Sequence, residues 1–119
     1  AIANDIPVVL GNDVGCPWIT QYDFWRELFY IHKYVGVSNA FALYTATARA
    51  AEMAGIRAET GTIEPGKSAD LIVTVENPLE DLRALRKVEM VVTQGRKIDH
   101  PQVKINPVVA AELDQFLVE

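Results

Sequence analysis

Asp13 is the residue of this sequence best placed to do chemistry. It lies between Gly11 and Gly15, directly after the apolar run Val8-Val9-Leu10. The two glycines let the backbone turn sharply, and a carboxylate at the end of a buried parallel strand occupies the position of catalytic side chains in α/β barrels. Asn12-Asp13 is also typical of a simple turn, because both side chains bond to nearby backbone groups. These residues alone leave a catalytic role and a turn open.

Cys16 and Trp18, in the loop that follows Asp13, are candidates for substrate contact. A lone cysteine is also typical of a small buried apolar side chain, and Trp18 is equally suited to packing. The two histidines favour other roles than metal binding: His32 falls within a predicted helix, and His100 precedes a proline in a predicted loop. The sequence holds no His-x-His pair and no cysteine zinc motif.

Composition restricts the classes of protein that need to be considered. The 119 residues fit one domain or less, and half of them are hydrophobic, as in globular proteins. A net charge of −5 without a basic stripe argues against nucleic acid or an anionic membrane surface as a partner. No apolar run approaches the ~20 residues of a membrane span, and no signal peptide is visible. With its lone cysteine, the sequence predicts a cytoplasmic protein.

Helices in the first half and strands in the second must position these candidates. Apolar residues recur at helical spacing in three segments, 24–35, 38–54 and 107–117. The predicted ends of these helices are Asp23, Ser38 and Asn106 as N-caps and Gly36 and Gly55 as C-terminal stops. Strands are predicted at 69–75, 88–93 and 96–98, the last two forming a hairpin. The run at 8–10 has no polar residue, which predicts a parallel strand buried on both faces.

Three stretches carry a family pattern in the right order: VVLGNDVG at 8–15, LYTATARAAEMAG at 43–55 and GTIEPGKSADLIV at 61–73. The third is the most specific, because a Gly-x-Ile-Glu-x-Gly-Lys-x-Ala-Asp-Leu string is found in few other contexts. Together they resemble the C-terminal portion of the metal-dependent amidohydrolase superfamily, and are most similar to its imidazolonepropionase- and prolidase-like branch. Asn12 stands where the family usually has Thr, and Arg49 where Asn is common.

The resemblance implies an α/β fold that is the C-terminal fragment of a TIM-barrel amidohydrolase. The last barrel strand and helices would occupy residues 1–56, a β-sandwich segment residues 57–100, and a C-terminal helix residues 101–119. It also implies that the chain is a piece of a longer protein, in keeping with a start, Ala1-Ile2-Ala3, that lacks an initiator methionine.

The implied activity is hydrolysis of a C–N bond in a small amide, dipeptide or cyclic amide, with divalent metal, zinc being expected, at the barrel strand ends. By resemblance, Asp13 is the aspartate of the last strand, which binds the metal and moves a proton from water to the leaving nitrogen. Zinc normally takes three or four protein ligands, so this chain alone should bind no metal and be inactive.

Two other interpretations stay open. The chain could be a non-catalytic structural or assembly module that keeps pieces of the fold without the metal site, or a stand-alone α+β domain that binds a small molecule. A His-x-His pair and two further histidines in a preceding segment would favour the enzyme. Thermal stabilisation by a ligand would favour the binding domain.

Unpaired strand edges lead to a prediction about assembly. A buried strand at 8–10 and a partial sandwich would both lack neighbours in this chain, and exposed edges of this kind invite pairing with another copy. We expect the chain either to form a homo-oligomer or to hold residues 5–17 in an arrangement unlike a barrel strand. Sedimentation tests this: a strictly monomeric chain with residues 8–10 protected from hydrogen exchange would contradict it.

Overall fold

Three helices precede a small sheet and a fourth follows it, in a computed structural model that describes residues 1–118. The α-helices are α1 (Trp25–Tyr30), α2 (Asn39–Ala46), α3 (Ala48–Met53) and α4 (Pro107–Asp114). The strands are β1 (Leu71–Thr74), β2 (Val88–Thr93) and β3 (Arg96–Asp99). Shorter elements are the 3₁₀ turns Ile2–Asn4, Leu82–Arg86 and Gln115–Leu117 and a π-helical turn, Ile31–Val35, that continues α1. The fold is α/β, as predicted.

The helix ends largely follow the predicted capping residues. The hydroxyl of Ser38 accepts a hydrogen bond from the N–H of Phe41 at 3.1 Å, which caps α2. The side-chain oxygen of Asn106 accepts from the N–H of Val108 at 3.1 Å, which caps α4. Gly36 ends the π-helical turn with a φ of 79°, where a residue without Cβ is favoured. These three predictions are confirmed.

Two helix predictions were wrong in detail. The N-cap of α1 is Phe24, not Asp23, because the Asp23 carboxylate is occupied by the side chain of Arg26. The single helix predicted over 38–54 divides at Thr47, whose φ and ψ are −122° and −93°. The Thr47 hydroxyl donates to the carbonyl four residues earlier at 2.7 Å, a side-chain bond that competes with regular helix geometry.

The sheet has the strand order β1-β2-β3, and both pairs are antiparallel. Gln94 and Gly95 have φ values of 50° and 76°, the left-handed pair that a two-residue hairpin turn requires. The Asp70 carboxylate accepts the N–H of Gln94 at 2.7 Å, and this bond lowers the pKa of Asp70. The predicted hairpin is confirmed, and Asp70 ties its turn to the start of β1.

The strand predicted at 8–10 does not form, and residues 6–13 belong to no helix or strand. Val8, Val9 and Leu10 are only partly buried. A strand needs a neighbour to pair its backbone N–H and C=O groups, and the three strands within residues 1–118 pair only with one another. The prediction of a doubly buried parallel strand is wrong for this chain. The expected choice between a homo-oligomer and an arrangement of residues 5–17 unlike a barrel strand stays a prediction.

The main apolar core lies beneath α1. Its buried members are Trp25, Leu28, Phe29, Ala42, Leu82 and Leu117. Those on α1 recur at the i, i+3, i+4 spacing that places side chains on one helix face. Leu117 brings the C-terminal segment into this core. None of the helices in residues 1–118 is both long and apolar enough to cross a membrane.

The backbone at Gly61 packs closely against the start of α3. Its φ is 95°, and a Cβ at this position would lie 2.5 Å from the Cβ of Ala51 and 3.3 Å from the carbonyl oxygen of Thr47. Gly66 has a similar φ of 91° with no heavy atom within 4 Å of the same position. The two glycines therefore form a matched pair that differs in available space.

We expect Gly66→Ala to lower the free energy of unfolding by about 1 kcal/mol, from the left-handed backbone alone. Gly61→Ala should cost about 2 kcal/mol more, because the added methyl overpacks against α3. Chemical denaturation measures both variants. Equal losses would show that the approach to α3 is not tight.

Candidate functional site

Asp13 lies in an exposed loop that is bent by its own backbone. Its φ of 46° is left-handed, a conformation that aspartate tolerates better than most residues. Within the loop, the N–H of Ile19 donates to the carbonyl of Cys16 at 3.1 Å, and the N–H of Gly15 donates to the carbonyl of Ile19 at 3.5 Å. The predicted bend is present, whereas the strand that should precede it is not.

The structure brings Asp13 and Cys16 together. The Sγ of Cys16 donates to Oδ2 of Asp13 at 3.6 Å, a weak hydrogen bond of the kind thiols make. Both residues are exposed, so Cys16 is not the buried apolar side chain that a lone cysteine often is. An accessible carboxylate and thiol therefore share one face of the loop.

Trp18, at the far end of this loop, contacts α4. Its φ is 64°, and its indole Nε1–H donates to the carboxylate of Glu112. Trp18 also lines a small cleft of about 130 Å³ together with Asn12 and Leu113. Residues of the Asp13 loop and of α4 therefore line the same cleft.

Arg26, behind the loop, is a buried cation with 2% of its surface exposed. Its Nε lies 3.1 Å from Oδ1 of Asp23, and its Nη2 lies 2.7 Å from Oδ1 of Asp114. The guanidinium carbon also lies 4.7 Å from the ring centroid of Trp25. Arg86 supplies a second cation, 3.0 Å from the other oxygen of Asp114. Since a buried charge is tolerated only when paired, this cluster fastens α4 to α1.

Sequence reasoning missed this cluster and the Glu112 contact. Asp23 and Arg26 are three residues apart, a spacing that indicates an ion pair along a helix start. No comparable signal exists for Asp114 or Glu112, because both lie on an element far away in the sequence. Long-range partners of this kind become visible only in the folded chain.

Burial and ion pairing shift the pKa values of two carboxylates near the cleft, Asp114 and Glu27. Burial by itself would raise the pKa of Asp114, but hydrogen bonds from Arg26 and Arg86 outweigh it and lower that pKa. Burial raises the pKa of Glu27, which lines the same cleft. Asp114 is engaged in holding α4, whereas Asp13 is an exposed carboxylate of the loop.

The described residues do not form a metal centre by themselves. Within residues 1–118, no group of three or more His, Cys, Asp or Glu side chains could hold a metal ion. His32 Nδ1 lies 2.7 Å from the carbonyl oxygen of Val37, and His100 is exposed at a bend with a φ of 45°. Asp13 and Cys16 fall short of the three or four protein ligands that zinc normally takes. The described residues could therefore supply only part of the ligand set of a zinc centre.

Residues 1–98 match the model of the Amidohydrolase family. The matched segment includes the Asp13 loop, the three helices that follow it and most of the sheet, and it ends before α4. The chain belongs to the amidohydrolase family. No curated protein matches the sequence significantly.

Solved structures of amidohydrolases resemble the chain closely. A prolidase-like protein from Bifidobacterium longum superposes with a TM-score of 0.94 at 40% identity, over 98% of this chain and 29% of that protein. A Xaa-Pro dipeptidase with methionine bound in its active site gives a TM-score of 0.74 at 29% identity, over 82% of this chain and 23% of that one. Molinate hydrolase gives a TM-score of 0.76 at 26% identity, over 92% of this chain and 27% of that protein. The chain therefore spans less than a third of the length of each of these proteins.

The Arg26–Asp114 pair leads to a stability prediction. Asp114→Asn keeps the shape of the side chain and removes its charge, so we expect the free energy of unfolding at pH 7 to fall by about 2 kcal/mol, the value of a hydrogen bond to a charged group. Asp99→Asn is the control, since the Asp99–Lys97 pair is exposed on both sides and should contribute less than about 0.5 kcal/mol. Chemical denaturation measures both.

The stability difference between the unchanged chain and Asp114→Asn should disappear at low pH. Because pairing lowers the pKa of Asp114 below its ordinary value of 3.8, its contribution is complete above that value and is lost as the pH falls through the folded-state pKa. The gap between the unchanged chain and Asp114→Asn should shrink in that range. Equal losses for the two variants at pH 7, or a gap that persists in strong acid, would contradict the assignment.

Proposed function

We propose that this chain is the C-terminal part of a hydrolase that acts on amide or peptide bonds. The supporting observation is the family match over residues 1–98, joined to 40% identity with a prolidase-like protein across nearly the whole chain. The names of the similar structures include a prolidase and a Xaa-Pro dipeptidase. A dipeptide or another small amide is therefore the substrate class we assign.

The proposal includes an architecture for the complete protein. Residues 1–56 supply the last strand and helices of a TIM barrel, residues 57–100 a β-sandwich segment, and residues 101–119 a C-terminal helix, of which Glu119 lies outside the described residues. A run at 8–10 without a strand partner here becomes a strand once neighbouring strands offer hydrogen bonds to its backbone. The predicted homo-oligomer and cytoplasmic location belong to the same proposal.

Asp13 is assigned the proton transfer. As a general base, its carboxylate accepts a proton from the attacking water and returns it to the leaving nitrogen. Cys16 and Trp18, in the same loop, are assigned contacts with the substrate. The family is generally metal-dependent, and Asp13 is also the ligand that this chain would offer to a divalent metal, zinc being expected. The remaining ligands would come from outside this chain.

A second candidate is a non-catalytic structural or assembly module. It is favoured by the exposed, left-handed bend at Asp13, which suits a turn, and by the absence of a further metal ligand near Asp13 and Cys16 within residues 1–118. The coding sequence upstream of Ala1 distinguishes the two candidates. A His-x-His pair and two further histidines there support the hydrolase, and their absence from the complete protein supports the module.

Substitution of Asp13 tests the catalytic assignment in the complete natural protein. We expect Asp13→Asn to lower kcat by ~100-fold or more on a panel of proline dipeptides, because a positioned proton-transfer group is lost. Asp5→Asn is a matched control, since Asp5 is also exposed and also left-handed, with a φ of 55°. Unchanged turnover in Asp13→Asn removes Asp13 from the mechanism, and equal losses in both variants indicate a backbone role instead.

A further inference from the structure

Side chains from the stretch around α1, residues 22 to 33, make hydrogen bonds to the segment 106–118 at several points. The backbone N–H of Asn106 donates to the hydroxyl of Tyr22 at 2.9 Å. Arg26 bonds Asp114, as described above, and the Nζ of Lys33 donates to the carbonyl of Phe116 at 3.0 Å. The family match ends at residue 98. α4 therefore lies outside the matched segment, and these hydrogen bonds attach the segment 106–118 to the rest of the chain.

One end of α4 reaches the loop that carries Asp13. Glu112 accepts the indole N–H of Trp18, five residues after Asp13. Leu113 lines a cleft with Trp18 and with Asn12, the residue immediately before Asp13. The helix therefore contacts the loop at Trp18 and shares a cleft with the residue before the candidate catalytic carboxylate.

The loop needs external contacts to keep this shape. Trp18 has a φ of 64° and Asp13 a φ of 46°, and bulky residues in this region persist only when their surroundings hold them there. The hydrogen bonds inside the loop join the backbone of Gly15, Cys16 and Ile19 and the side chains of Cys16 and Asp13, and none of them includes the Trp18 indole. Glu112 supplies the polar contact of that indole.

We propose that Glu112 is a positioning residue for Asp13. By holding Trp18, it fixes the conformation of the loop 13–18 and with it the direction of the Asp13 carboxylate. Glu112 is exposed and touches no reacting group, so its effect passes entirely through Trp18. The catalytic consequence rests on the proposed function, whereas the effect on the loop does not.

Hydrogen exchange of the complete natural protein separates these two parts. In Glu112→Ala, we expect peptides covering residues 13–19 to exchange about tenfold faster, the factor for losing one hydrogen bond to a charged acceptor. Glu112→Gln should restore most of the protection, because its amide oxygen still accepts the indole N–H. Glu89→Ala, which removes an exposed carboxylate from β2, is the control and should leave the loop unchanged. Exchange in α2 (Asn39–Ala46), which contains none of the substituted residues, reports whether each variant is folded.

Kinetics on the same variants complete the test. A several-fold loss of kcat at unchanged KM in Glu112→Ala, rescued by Glu112→Gln, supports the positioning role. Faster loop exchange combined with no hydrolysis by the unsubstituted protein supports the positioning of the loop and removes the proposed function. Unchanged loop exchange in a folded Glu112→Ala protein, or the same change in Glu89→Ala, overturns the proposal.

Discussion

The pairing of the buried Arg26 guanidinium is the interaction on which the rest of the structure depends. A charge that is 2% exposed is costly unless carboxylates meet it, and the two that do so are Asp23, just before α1, and Asp114, on α4. Through its pair with Asp114, Arg26 attaches the C-terminal helix to α1. That placement carries Leu117 into the core and Glu112 to the loop of the candidate site.

The elements that could be predicted from the sequence are those that close their own hydrogen bonds. Ser38 and Asn106 cap helices a few residues away, and the hairpin of β2 and β3 needs only the turn at 94–95. The strand predicted at 8–10 does not form, because a strand needs a neighbouring strand to accept and donate its backbone hydrogen bonds. A run of three apolar residues does not show whether that neighbour is present. Asp23 failed as a cap for a related reason, since the side chain of Arg26 takes its carboxylate.

The candidate site likewise combines a bend that the local sequence predicts with long-range contacts that it does not. Asn12-Asp13 between two glycines predicts the bend, and the φ of Asp13 agrees with it. The contacts that surround this bend join residues 88 and 94 positions apart, Arg26 with Asp114 and Trp18 with Glu112, and no local spacing indicates them. The chemistry assigned to Asp13 depends on the family rather than on the bend, since an exposed carboxylate in a left-handed turn suits a structural role equally well.

Whether Asp13 serves a hydrolytic centre is decided most directly by a crystal structure of the complete natural protein with divalent metal supplied. The expected result is a strand at 8–10 paired with parallel neighbours and the Asp13 carboxylate bonded to the metal at about 2.0–2.2 Å. A structure in which Asp13 keeps its solvent-exposed bend while the metal binds elsewhere would contradict the assignment.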